Sequence, residues 1–85
     1  MSLNAFLFAD GVEVPLVQVP TNISKEIFSG FNQPIKKKVD VLLTINKYFN
    51  YVSNNCFEDK QDFIVHKDKI LKKINKSNKI IFWFD

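Results

Sequence analysis

The sequence predicts a small α/β domain of the α+β type, in which a short three-stranded sheet packs with helices in the order β-β-α-β-α-loop-α. Three observations lead there. Two apolar stretches flank Asp10-Gly11, a dipeptide suited to the positive φ of a tight hairpin turn. Farther along, Val41, Leu42, Ile45, Tyr48, Phe49 and Val52 recur at intervals of three and four, the period of a buried helical face. Nine Phe in a chain of 85 residues that is 46% hydrophobic supply a globular core. Residues 1–85 read as one domain without repeat or linker. A chain of this size buries only roughly 60% of its unfolded surface, so a partner would add stability.

The elements follow in order. Strand one spans about Asn4 to Phe8 and strand two about Val12 to Val19, with Pro15 marking the second as an edge or bulged strand because it has no N–H to donate. A short helix starts at Thr21 or Asn22 as cap, presents Ile23, Ile27 and Phe28 on one face, and stops at Gly30. Ile35 to Val39 gives the third strand, and Asp40 caps the long amphipathic helix. A polar loop through Asn54, Asn55, Glu58 and Asp59 leads to a last helix with Ile70 and Ile74 inward and Lys69, Lys72, Lys73 and Lys76 around the rest.

Composition excludes several functions. The longest apolar run, Ile80 to Phe84, is far below the roughly 20 residues that a membrane-spanning helix needs. No secretory signal pattern opens the chain and the single Cys56 has no internal partner, which points to the cytoplasm or nucleus. His66 and Cys56 are the sole residues of their types, so a Cys-His nucleophile lacks a third orienting group, and a structural zinc site lacks ligands. His66 reads instead as a surface residue in a turn leading into a helix. Only Gly11 and Gly30 are present, too few for a phosphate-cradling loop. No catalytic residue, metal or cofactor is expected.

The order and residues of the second half resemble elongin C, a member of the BTB/POZ-like superfamily. Tyr48-Phe49-Asn50-Tyr51 is similar to the family's aromatic helix end, Asp62-Phe63 with Val65 to its loop exit, and Ser77-Asn78-Lys79-Ile80 to its closing motif. Upstream, the Asp10-Gly11 hairpin and Ser24 to Gly30 are similar to the family's first hairpin and helix. The resemblance implies a BTB/POZ-like fold and a non-catalytic adaptor that links a substrate-receptor helix to a cullin-type ubiquitin ligase, with an elongin B-like protein as a further partner. It implies a receptor pocket at Tyr48, Phe63, Leu71, Ser77 and Phe82, with Lys73 and Lys79 standing where the family has apolar residues. Those lysines imply a smaller pocket or an acidic partner helix. The segment after Gly30 is cut short and Asn75 stands at a usually apolar position, both on the surface that the family turns to cullin.

The terminal run Ile80-Ile81-Phe82-Trp83-Phe84 needs a cover. It is expected to divide between core and partner, with Trp83 and Phe84 toward the partner. A nucleic-acid-binding module is the alternative. It would use Lys36, Lys37 and Lys38 together with the six lysines between Lys67 and Lys79, and stack bases on Trp83 or Phe84. The net charge of +3 is carried by lysine alone, and the absence of arginine removes the usual bidentate phosphate and base contacts. A homodimer through the BTB-like surface is a third arrangement.

Overall fold

The computed structural model describes residues 4–85. Two strands, β1 (Ala5–Ala9) and β2 (Val12–Val14), form a hairpin; three helices follow, α1 (Thr21–Ile27), α2 (Lys38–Asn55) and α3 (Lys60–Lys76); and β3 (Ile80–Phe84) closes the order. The sheet is antiparallel with order β2-β1-β3. The hairpin turn has φ of 52° at Asp10 and 81° at Gly11, the positive pair that a two-residue loop requires and that Asp and Gly tolerate. Strand β2 ends at Val14, short of the expected Val19, because Pro15 has no N–H to continue the ladder and the chain through Val19 is irregular.

The third strand lies elsewhere than the sequence predicts. The stretch Ile35 to Val39 contributes a single bridge, in which Ile35 and Phe82 exchange both backbone bonds at 2.9 and 3.0 Å, and helix α2 already begins at Lys38. Asp40 therefore sits in the first turn of α2 rather than at its cap, where its charge still favours the helix N-terminus. The order is β-β-α-α-α-β. The run Ile80 to Phe84 supplies the third strand by pairing with β1 along its whole length, from Ala5↔Phe84 to Ala9↔Ile80. An apolar run of five carries no period by which a strand can be told from a buried helix.

All three helices cover one face of this sheet. Helix α2 is the hub, packing on α1, α3 and β3, and its Val41, Ile45, Tyr48, Phe49 and Val52 are buried as their spacing predicts. They meet Ile70 and Ile74 of α3, Ile27 and Phe28 from α1 and its cap, and Ala5, Leu7, Ala9, Ile80 and Phe82 from the sheet. The Phe28 ring lies 4.6 Å from that of Phe82 and 4.9 Å from that of Phe84. Helix α3 is capped by Asp59, whose side chain accepts the Gln61 N–H at 2.8 Å.

One carboxylate ties the hairpin to the far end of the chain. Asp10 accepts the backbone N–H groups of Asn78 at 3.0 Å and Lys79 at 2.9 Å, and its own N–H donates to the Lys79 carbonyl at 2.8 Å. Asp10→Ala removes the acceptor for two donors and puts alanine at a positive φ, an expected loss of about 2 kcal/mol in urea unfolding. Asp10→Asn keeps an acceptor oxygen and tolerates the turn, so it should lose less than half as much. A negligible loss in both variants would mean that these bonds contribute little.

Candidate functional site

The site is built outward from Tyr48. This fully buried side chain of α2 accepts the Val17 N–H at 2.8 Å, which fixes the irregular segment after β2 against the helices. The same hydroxyl lies 3.0 Å from Nε2 of His66 on α3. The hydroxyl donates to Nε2 when His66 carries its proton on Nδ1 and accepts from it when the proton is on Nε2, since a phenol oxygen can accept from both Val17 and the imidazole. Burial pushes Tyr48 from its usual 10 up to about 12; the Val17 N–H opposes the rise and Cys56 adds to it. Burial also holds His66 below its usual 6.5, with the Lys69 ammonium acting in the same direction. Near neutral pH both groups are uncharged. They join the segment after β2 to α2 and α3.

This link forms one end of a groove of about 630 Å³ between α3 and the segment from Val12 to Val17. Residues His66, Lys69, Ile70, Lys73, Lys76 and Ser77 lie three or four apart along α3, so they share one helical face. Val14, Leu16 and Val17 supply apolar surface opposite, and Lys69, Lys73 and Lys76 are exposed along the α3 wall. Ser77 is buried and its hydroxyl donates to the Lys73 carbonyl at 2.6 Å, closing the helix end. A groove with an apolar lining and three ammonium groups along one wall can hold an elongated apolar molecule carrying negative charge. Among the described residues, no three or more His, Cys, Asp or Glu side chains gather as a metal site would need.

The residues named by the resemblance do not converge on one surface. Tyr48 and Phe82 are wholly buried in the core, and Ser77 is nearly so. Phe63 is half-buried among its own chain's rings, 6.2 Å from Phe49 and 5.7 Å from Phe57, and Leu71 packs half-buried on the core. Lys73 and Ser77 line the groove just described, whereas Lys79 borders a separate hollow with Phe8 and Ile81. Phe84 packs on Phe28, and Trp83 is half-buried on the other side of the strand. The terminal run alternates with the two-residue period of a strand, and Phe84, expected to face a partner, packs with the core cluster instead.

Sequence reasoning missed Lys69, Lys76, Val14, Leu16 and Val17 as one group. The spacing of the lysines was visible; the strand segment facing them was not, because only tertiary folding brings it there. The arrangement defines a small α+β domain, a three-stranded antiparallel sheet with helices on one face and, at one edge, a groove with three lysines on its α3 wall and Asp10 and Glu13 on the hairpin wall. No family model, curated protein or solved structure matches the chain. Among the described residues, no helix is long and apolar enough to cross a membrane.

Proposed function

We propose that this chain is a non-catalytic protein-interaction module that captures an acidic amphipathic helix of another polypeptide in the groove between α3 and the Val12 to Val17 segment. One observation carries the reading: Lys69, Lys73 and Lys76 stand along one face of α3 beside an apolar lining of Val14, Leu16, Val17 and Ile70. Apolar anchors of a partner helix would bury against the lining while its Asp and Glu side chains meet the ammonium groups at the rim.

The elongin C-like form of this proposal makes that helix part of a substrate receptor, and adds a cullin and an elongin B-like protein as further partners. The shared series of hairpin, short helix and two longer helices supports it, as does the presence of Lys73 and Ser77 both in the family's pocket positions and in this groove. Against it stand the burial of Tyr48 and Phe82 and the strand at Ile80–Phe84, where the family closes on a helix.

A labelled amphipathic peptide rich in Asp and Glu should bind in physiological salt. Lys69→Glu combined with Lys73→Glu should weaken it about tenfold or more, while Lys47→Glu, on α2 and outside the groove, should not. Unchanged binding in the double variant would overturn the groove as the site. Should the chain instead take up oligonucleotides with an affinity that falls steeply with salt, the basic face of α3 would be a nucleic-acid contact.

A further inference from the structure

The helices cover one face of the sheet and leave the other to Phe6, Phe8, Ile81 and Trp83. The strand registers align them: Phe6 opposes Trp83, and Phe8 opposes Ile81 on one side and Glu13 on the other. All four are half-buried, and none of them joins the core cluster that Phe84, Leu71 and other partly buried side chains pack against. The Phe6 and Phe8 rings lie 6.5 Å apart and nearly parallel, while Trp83 lies 4.9 Å from Phe84. Phe6 and Phe8 thus cover each other on this face, while Trp83 also touches Phe84 at the end of the strand.

Charge around this surface is unevenly distributed. Glu13, on β2, stands at one edge of the row that runs through Phe8 and Ile81. At the other edge the antiparallel bridge between Ile35 and Phe82 sets Lys36 beside Ile81. A two-fold axis parallel to the strands, passing between two such faces, superposes the acidic edge of each copy on the basic edge of the other. Glu13 of each copy then meets Lys36 of its partner, twice, with the four apolar side chains of each enclosed between the sheets. Self-complementarity of this kind is what an isologous interface requires. Two sheets packed face to face with roughly aligned strands are a common arrangement, with about 10 Å between them.

We infer that the outer face of the sheet is the interface of a homodimer, closed by the Phe6, Phe8, Ile81 and Trp83 surface and oriented by two Glu13–Lys36 pairs. A single-stranded nucleic acid stacked on the same rings is disfavoured by the mixed charge of the border, where Asp10 and Glu13 accompany Lys36 and Lys79, while six other lysines lie on α3 in the helical layer behind. The dimer leaves Lys69, Lys73 and Lys76 outside the interface; Glu13 also borders the groove, so Trp83→Ser and Lys36→Glu, both outside the groove, are the variants that test the dimer apart from it.

Sedimentation of the full chain from about 1 to 300 μM tests it, since a reversible dimer responds to concentration. The wild-type chain should pass from monomer toward dimer, and Trp83→Ser should shift that transition to higher concentration. Glu13→Lys brings Lys against Lys, and Lys36→Glu brings Glu against Glu, so each variant alone should associate about tenfold more weakly. An equimolar mixture of the two restores opposite charges at both contacts and should dimerise again. Both substitutions are at exposed positions, and circular dichroism checks that each variant folds. A wild-type chain that stays monomeric, a dimer indifferent to all three substitutions, or a mixture no more associated than its components would overturn the inference. So would oligonucleotide binding that Trp83→Ser abolishes.

Discussion

Phe82→Ala should cost about 3–5 kcal/mol, a large share of the roughly 4–13 kcal/mol expected for a chain of this length. The ring is wholly buried, 4.6 Å from Phe28, at the point where β3 is bonded to β1 on one side and to Ile35 on the other. Truncation removes apolar contact where sheet, α1 and the Ile35 segment converge, and the paired backbone on both sides limits how far the cavity can collapse. Trp83→Ala, one residue on, faces away from the core and should cost less than half as much in dilute solution. A large loss at Phe82 beside a small one at Trp83, read from urea midpoints, is what the alternation of β3 predicts. Similar losses at both positions would contradict the register of β3.

Tyr48→Phe should cost about 1–3 kcal/mol at neutral pH, by leaving the Val17 N–H without its acceptor in a buried setting. Its effect on pH dependence is more diagnostic. The folded chain holds the Tyr48 proton up to about 12, against 10 when unfolded, so this group's contribution is complete below pH 10 and is lost as pH rises through 12. His66 runs the other way. With a folded value below 6.5, its contribution is complete above pH 6.5 and is lost as pH falls through the lower folded value. Tyr48→Phe should therefore abolish the alkaline loss attributable to this group and keep the acid one, which arises from burial of His66 beside Lys69. Stability measured by urea from pH 5 to 12 reads both limbs. An alkaline limb unchanged in the variant would show that Tyr48 ionisation does not produce it.

The elements read most accurately from sequence are those whose determinants are local. Asp10-Gly11 specifies its turn by φ alone, and the three- and four-residue spacing from Val41 to Val52 specifies the buried face of α2. Ile35 to Val39 misleads for a local reason as well: two apolar residues flank three lysines, yet helical geometry already begins at Lys38. The C-terminal strand is the opposite case. Nothing in Ile80 to Phe84 says that its partner is β1, and the Asp10 bonds that position it span 68 and 69 residues. His66 reads as a surface residue because its partner, Tyr48, lies on another helix. The groove was half visible: one wall is a periodic row of lysines, and the other is a stretch that Pro15 releases from the sheet.

The pairing of β1 with β3 also has a kinetic side. The central strand is made long before the strand that completes its pairing, and until then Phe6 and Phe8 have no Trp83 or Ile81 beside them. Loop closure over that distance is slow compared with helix formation, so α2 and α3 should acquire structure while the hairpin is still open along one edge. During that interval the aromatic strand is the segment of a nascent chain most prone to pair with another copy, and a chaperone that shields extended hydrophobic stretches would act there first.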